Sequence, residues 1–144
     1  MIKSALAALG ISALALAAPA SARDEMMPWD TPVLVNGIDM VCTGIGEAQD
    51  DPRWKAYPLR VEFAGGDAQY LSRAEVVIAR ENGDVLATVK CPGAWLLLMV
   101  PPGKYQLTAT LLRVQAAPQT IVASAPESGQ VRAIIRFPDV TGMD

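Results

Sequence analysis

The chain has 144 residues, no histidine and a formal net charge of −3 at pH 7. Its charges are scattered and form no basic stripe, which argues against a nucleic-acid partner. The lack of histidine removes Ser-His and Cys-His activation of a nucleophile, together with the commonest base at neutral pH. A chain of this length suits a single domain with one hydrophobic core.

The first 22 residues have the pattern of a cleaved secretory signal peptide. Lys3 provides the positive charge, residues 5–18 form an apolar run too short to span a bilayer, and Ala20 and Ala22 are small residues at cleavage-site spacing. Cleavage is expected before Arg23. The remaining chain has no apolar run of membrane-spanning length and no cysteine directly after that site. The sequence therefore predicts a periplasmic or secreted protein with no membrane anchor.

Residues 23–37 are expected to form a loose N-terminal arm, followed by one domain over residues 38–144. Within this domain, the polar stretch over residues 44–57 carries acidic residues early and basic residues late. This charge order favours one short helix within residues 46–56. Asp51 is a candidate N-cap for a turn that begins at Pro52, because proline suits the first helical position.

Alternation of apolar and polar residues predicts strands for most of the remaining chain. In the first of them, Leu59, Val61 and Phe63 face one way, and Arg60 and Glu62 face the other. Seven strands are expected, at residues 59–63, 74–80, 85–90, 94–100, 105–111, 120–124 and 131–137, with shorter extended pieces at 33–35 and 38–43. Short strands separated by frequent turn signals are typical of an all-β sandwich.

Two turns are predicted from their residue types. Asn82 and Gly83 lie between two strands and favour a type I′ hairpin turn, because both residues tolerate positive φ. Pro102 and Gly103 favour a type II turn, because proline fixes φ at the second position and glycine supplies positive φ at the third.

Cys42 and Cys91 are the two cysteines of the chain. In an exported protein an even pair predicts a disulfide, and only one pairing is possible here. The alternatives have less support, because a metal site needs more ligands than two cysteines in a chain without histidine, and no CxxC redox motif is present. No metal or other cofactor is expected.

The segment from Gly83 to Ala109 resembles a carboxypeptidase regulatory-like, or transthyretin-like, domain. It contains a hairpin, a buried strand, a Pro-Pro-Gly-Lys-Tyr turn ending at Tyr105 and an alternating strand, in the order typical of such domains. Over residues 38–135 the chain is also similar to a group of small exported bacterial proteins of unknown function. The resemblance implies a transthyretin-like or Ig-like antiparallel β-sandwich of about seven strands with one short helix. It implies no catalytic residue, since modules of this type support protein contacts, adhesion or carbohydrate binding.

Glu47, Asp50 and Asp51 are the candidates for carboxylate chemistry or for a weak calcium site. A glycosidase needs two carboxylates that flank a bond in a cleft, and an EF-hand loop needs a DxDxDG ligand spacing that this stretch lacks. A solvated helix face is the favoured interpretation. The sequence accordingly predicts neither enzyme activity nor a metal site.

Trp29, Trp54 and Tyr57 are the candidate contact residues for a ligand or partner. Trp54 lies on the predicted helix and is expected to pack on the sheet. The alternative is that Trp54 joins an exposed patch with Tyr57, whose aromatic faces stack on sugar rings. Trp29 is interpreted equally as an anchor of the arm or as a partner contact. Trp95 lies in an apolar strand and is expected in the core. Tyr105 is expected to pack within a strand, and the fold would allow its hydroxyl to form a hydrogen bond to nearby backbone.

These patterns predict a non-catalytic exported β-sandwich that serves as an accessory or interaction module. Its expected partner is a protein or a cell-envelope component. The alternative is a carbohydrate or small-ligand binding module that uses exposed aromatic side chains.

Overall fold

The described part of the chain, residues 22–141 of a computed structural model, forms ten strands. In chain order they are β1 (Ala22–Met26), β2 (Val33–Val35), β3 (Ile38–Thr43), β4 (Leu59–Gly65), β5 (Ala74–Arg80), β6 (Val85–Cys91), β7 (Trp95–Met99), β8 (Gly103–Leu111), β9 (Gln119–Ala125) and β10 (Val131–Phe137). Two 3₁₀ turns, Gly46–Asp50 and Pro52–Ala56, lie between β3 and β4 and are together called the 3₁₀ segment. The predicted signal peptide lies outside the described residues, except for Ala22.

The strands form two five-stranded sheets, and the predicted all-β sandwich is confirmed. Sheet A has the strand order β1-β6-β5-β8-β9, and sheet B has the order β10-β4-β7-β3-β2. The pairs β1–β6 and β10–β4 are parallel, and the other pairs are antiparallel. The strand number exceeds the expected seven because residues 33–35 and 38–43 both join sheet B, and residues 22–26 join sheet A.

The core lies between the sheets and follows the period-two pattern of the strands. On β4, Leu59, Val61 and Phe63 face the core and have no exposed surface, as their alternation predicts. Strand β7 differs, because its first four residues are all buried. A continuous apolar strand of this type is buried on both faces, so the outer face of sheet B also needs a cover.

The 3₁₀ segment supplies this cover and takes the place of the predicted single helix. Pro52 lies in the middle of the stretch, and its ring disfavours helical conformation at the preceding Asp51, which has φ −58° and ψ 122°. Asp51 caps the second turn as predicted, since its carboxylate accepts a hydrogen bond from the Arg53 N–H at 2.9 Å. The proline therefore divides the segment into two short turns.

Residues 23–37 are integrated into both sheets and do not form the expected loose arm. Strand β1 pairs with β6 at the edge of sheet A, and β2 pairs with β3 at the edge of sheet B. Between them, the Asp30 N–H donates to the Cys42 carbonyl at 2.9 Å. Sequence alternation gave no signal for β1, because the sequence Ala-Arg-Asp-Glu-Met is largely polar and the pairing of an edge strand depends on its backbone.

The two turn predictions are corrected. In the hairpin between β5 and β6, the Arg80 carbonyl accepts from the Gly83 N–H at 2.9 Å, and Gly83 has φ 95° whereas the residue before it has no positive φ. This is a three-residue loop with a bulge. Positive φ at two consecutive hairpin residues occurs at Asn36 and Gly37, with φ 50° and 80°. Gly103 begins β8 with φ 147°, whereas a type II turn needs about +80°.

Tyr105 forms the hydrogen bond to nearby backbone that this fold allows. Its hydroxyl donates to the Pro101 carbonyl at 2.6 Å, and the side chain is buried. The contact fixes the start of β8 to the loop that follows β7.

The disulfide between Cys42 and Cys91 is also confirmed, with a Cα–Cα distance of 5.5 Å. Cys42 lies on β3 of sheet B and Cys91 on β6 of sheet A, so the bond links the two sheets covalently. Both cysteines are fully buried. A disulfide of this kind is typical of proteins in an oxidising, extracytoplasmic environment.

Replacing both cysteines by alanine is expected to lower the free energy of unfolding by about 4 kcal/mol, because a loop of about 50 residues is no longer closed in the unfolded chain. Urea unfolding of the variant and the wild type under non-reducing conditions measures the difference. The intact mass before and after reduction, which should differ by two hydrogen atoms, is the control. Two freely alkylatable thiols in the freshly isolated protein would contradict the pairing.

Candidate functional site

The outer face of sheet B is covered by two aromatic side chains of the 3₁₀ segment. Trp54 and Tyr57 pack on Val41 of β3 and Leu97 of β7, and all four are buried. The Trp54 indole N–H donates to the Ala48 carbonyl at 2.7 Å, which fixes the indole within the 3₁₀ segment itself. The result is a second, smaller apolar layer on the side of the sheet that is opposite to the main core.

Beside this layer, a buried carboxylate holds two guanidinium groups. Glu62 on β4 has no exposed surface, and its Oε2 accepts from the Nε of Arg60 at 2.8 Å and from the Nε of Arg132 on β10. The Arg60 side chain is 26% exposed and the Arg132 side chain 51% exposed. The hydrogen bond and charge of Glu62 raise the pKa of Arg132 above its usual value. The three residues are called the charged cluster.

Trp95 and Tyr70 extend the charged cluster with aromatic groups. The Arg60 guanidinium carbon lies 4.3 Å from the centre of the Trp95 ring, which is a cation–π distance. Tyr70 meets Trp95 edge to face, with 6.1 Å between ring centres. Trp95 is directly paired with Glu62 in the register of β7 and β4, so both side chains lie on the same outer face.

Two buried polar atoms at this position have no hydrogen-bond partner among the described residues. They are Oε1 of Glu62, which is an acceptor, and Nε1 of Trp95, which is a donor. Leaving a buried polar group unsatisfied costs about 1–3 kcal/mol. Natural proteins seldom leave such groups without a partner, so this pair marks the position as chemically incomplete.

A groove of about 330 Å³ borders the charged cluster. Arg60 and Trp95 line it from sheet B, Asp50 and Lys55 from the 3₁₀ segment, and Gln130 from the loop before β10. A larger open depression of about 600 Å³ lies at residues 110–117, at the end of β8, and Arg113 is the charged residue among the described residues that line it. The groove is the stronger candidate site because it adjoins the unsatisfied polar atoms.

The predicted contact residues lie in different environments. Trp54 and Tyr57 are 3% and 4% exposed, so their rings are packing groups and offer no free face for stacking. Trp29 is 44% exposed. Its ring lies close to Gly93, and its backbone forms an isolated parallel β-bridge with Cys42. It therefore anchors the chain between the sheets and also presents an exposed surface, and its contact with a partner stays a prediction.

Two of the three candidate carboxylates, Asp50 and Asp51, line the groove, and Glu47 is not among its lining residues. Glu47 and Asp50 are exposed, and the Asp51 carboxylate binds the Arg53 guanidinium at 2.7 Å. Within the described part of the chain, no group of three or more His, Cys, Asp and Glu side chains is placed to hold a metal ion.

Sequence reasoning did not identify the charged cluster. It placed Arg60 and Glu62 correctly on the outward face of their strand, and outward-facing charges are normally solvated. The available signal was the apolar run of β7, because a strand buried on both faces implies a covered outer face, and Glu62 shares that face. Arg132 had no signal of its own, since its role follows from the parallel pairing of β10 with β4.

A scan of protein-family models and a search of curated proteins find no match to this chain. The β-sandwich is shown by the structure itself, whereas the transthyretin-like family remains an expectation. Over residues 22–141 no helix is long and apolar enough to cross a membrane.

Replacing Arg60 by alanine is expected to lower the free energy of unfolding by about 1–3 kcal/mol, because the variant loses a charge-assisted hydrogen bond and a cation–π contact. Replacing Arg132 by alanine is expected to cost clearly less, since that side chain is half exposed and screened by solvent. Urea unfolding of the two variants measures which substitution lowers the free energy of unfolding more. Arg113→Ala, at an exposed arginine outside the charged cluster, is the control. Equal costs at positions 60 and 132 would contradict this account.

Tyr57 gives a prediction for alkaline pH. Burial, and then the hydrogen bond to Asp39 at 2.8 Å, raise the pKa of the Tyr57 hydroxyl, because both favour its neutral form. Its contribution to stability is therefore complete below the unfolded pKa of about 10 and is lost as the pH rises above it. The wild type should lose stability between pH 10 and 11 more steeply than Tyr57→Phe in urea unfolding. If the free energy of unfolding falls equally steeply with pH in both proteins, the Tyr57 hydroxyl does not contribute to the alkaline loss of stability.

Proposed function

We propose that this protein is a non-catalytic, exported binding module of the transthyretin-like type, which recognises a protein or another component of the cell envelope. The signal-peptide pattern of the first 22 residues and the disulfide between the sheets support export to the periplasm or beyond. Both features are characteristic of extracytoplasmic proteins.

The observation that carries the binding role is the incomplete polar site on the outer face of sheet B. Glu62 and Trp95 are buried, each with one polar atom that has no hydrogen-bond partner among the described residues, and Trp95 lines a groove together with the Arg60 guanidinium. A sandwich core needs none of these groups for its stability, and replacing a buried ion pair by apolar residues is often neutral or stabilising. Groups of this kind are therefore better explained by recognition than by folding.

Carboxylate catalysis has less support. Glu47 and Asp50 are exposed, and Asp51 has both a capping role and an ion pair with Arg53. A general acid–base pair needs two carboxylates that flank one reacting bond. Asp50 and Asp51 both line the groove, but they are consecutive residues and Asp51 is already paired with Arg53.

The second candidate function is carbohydrate or small-ligand binding through exposed aromatic faces. Trp29 and Tyr70 favour it, since they are 44% and 45% exposed. The burial of Trp54 and Tyr57 reduces the aromatic surface that this function requires.

The binding role predicts a partner whose retention depends on the charged cluster. The full chain with a C-terminal tag is expressed in its native host, crosslinked in the intact envelope and captured under non-reducing conditions, and its partner is identified by mass spectrometry. The double variant Arg60→Ala/Arg132→Ala is expected to lose most of the captured partner, whereas Arg113→Ala retains it. Sequencing the N-terminus of the captured protein, expected at Arg23, tests export in the same sample.

Equal recovery from both variants would show that the outer face of sheet B is not the binding surface. Recovery of no specific partner from the wild type would remove the support for an interaction module. Far-UV circular dichroism of both variants verifies that they are folded.

A further inference from the structure

Resting on the proposed binding function, we infer that the free edge of β10 binds an extended, acidic segment of a partner protein as an added strand. Strand β10 is the outermost strand of sheet B next to β4, and no described strand pairs with its other side. The residues that carry the inference are Arg132, Ile134 and Arg136. Arg132 belongs to the charged cluster, so this edge continues the outer face of sheet B to which the binding role is assigned.

The first step concerns the backbone groups of β10. All seven residues of the strand pair with β4 in unbroken parallel register, and the Val131 N–H donates to the Pro58 carbonyl at 2.8 Å. Backbone groups alternate in direction along a strand, so every second residue from Val131 onward points to β4. The N–H and C=O groups of Arg132, Ile134 and Arg136 therefore point to the free edge. Such an edge is a template for a further strand.

The second step concerns the side chains at these three positions. Ile135 and Phe137 face the core, so the same alternation places Arg132, Ile134 and Arg136 on the outer face of the sheet. Both arginines are exposed, and the isoleucine between them is half-buried. In an added strand, the two residues opposite the arginines lie four positions apart, and the residue midway between them lies beside Ile134.

The charge at this edge favours acidic side chains opposite both arginines. The charged cluster contains two arginines and one carboxylate, so it carries a net positive charge. Within residues 22–141, no carboxylate forms an ion pair with Arg136. The closest acidic residues along the sequence, Glu127 and Asp139, lie beyond the two ends of the strand. Opposite charges directly across a strand pair stabilise the pairing, so this edge fits an acidic segment.

The same arginines disfavour pairing of two copies of this chain through β10. In an antiparallel pair centred on Ile134, Arg132 of one copy lies opposite Arg136 of the other. Like charges in directly opposite positions are destabilising, and charged side chains on edge strands prevent self-association in this way. The edge therefore discriminates against its own sequence and in favour of an acidic one.

The inward side chains of the added strand are expected to be uncharged. They face β9, which lies next to β10 and forms the corresponding edge of sheet A. The sequence of β9, Gln-Thr-Ile-Val-Ala-Ser-Ala, has no charged residue. The expected partner segment therefore has acidic residues at its first and fifth positions, an apolar residue at the third, and uncharged residues at the second and fourth.

The test is titration of the ¹⁵N-labelled protein, expressed as the full chain, with three peptides blocked at both ends. The matching peptide is Thr-Glu-Thr-Val-Thr-Glu-Thr, which places both carboxylates on one face of a strand. The shifted peptide, Thr-Glu-Thr-Val-Glu-Thr-Thr, has the same composition but places them on opposite faces. The basic peptide has lysine in place of both glutamates of the matching peptide. Saturable shifts of the amide signals of residues 131–137 are expected with the matching peptide, weaker binding with the shifted peptide and none with the basic peptide.

Hydrogen exchange distinguishes an added strand from a peptide that is held by charge alone. The backbone N–H groups of Arg132, Ile134 and Arg136 should exchange more slowly when the matching peptide is bound, because each gains a hydrogen-bond acceptor. The N–H groups of Ala133 and Ile135 already point to β4 and should change little.

Substitutions test the charge requirement. Arg136→Ala is expected to weaken binding of the matching peptide about threefold, since one exposed ion pair is lost, and Arg136→Lys should restore most of the affinity. Arg113→Ala, at an exposed arginine outside β10, is the matched control and should leave the affinity unchanged. Arg136 makes no contact with Glu62 in the charged cluster, so its replacement leaves that cluster intact.

Three outcomes would overturn the inference. Absence of saturable shifts with the matching peptide means that the arginines only prevent self-association at this edge. Equal binding of the matching and shifted peptides without slower exchange means that the edge attracts negative charge and does not pair with a strand. Shifts centred outside β10 mean that the peptide binds elsewhere. In each case an envelope partner captured through the charged cluster would leave the proposed binding function intact.

Discussion

Burial of β7 on both faces is the constraint on which the rest of this structure depends. One face contacts the core between the sheets, and the other lies under Trp54 and Tyr57 of the 3₁₀ segment. The chain passes from β3 into this cover over Trp95, and Gly44 permits the close approach, because a Cβ there would lie 2.9 Å from Trp95 Cγ. Its φ of 106° also favours glycine. Sheet B is therefore the middle of three layers.

The covered outer face changes the physical meaning of the charges on β4. An exposed Glu–Arg pair contributes little, because water screens the charges. Glu62 is fully buried, so the two guanidinium groups are needed to compensate for the loss of its hydration. They meet this need at one carboxylate oxygen, and the other oxygen has no hydrogen-bond partner among residues 22–141. A structural ion cluster selected only for stability would be expected to satisfy both.

Sequence patterns predicted what depends on local periodicity and composition. The alternation over residues 59–63 and the apolar run of β7 predicted strands, and the single pair of cysteines predicted the disulfide. The patterns failed where tertiary context decides the outcome. Strand β1 is polar and takes its place from backbone pairing with β6, and Pro52 divides the predicted helix. The charged cluster joins residues from β4 and β10, and Trp95 of β7 packs against Arg60; their proximity follows from the order of the strands in sheet B.

The groove is held in shape by contacts between distant parts of the chain. The Gln130 side-chain amide donates to the carbonyl of Trp54 at 2.8 Å and to that of Tyr57 at 3.0 Å. This fixes the end of the 3₁₀ segment against the start of β10, so both walls of the groove are set by the fold. A preformed site loses less conformational entropy when a ligand binds than a site on mobile loops. Trp54 and Tyr57 hold the cover on the sheet, so the role of both rings is structural.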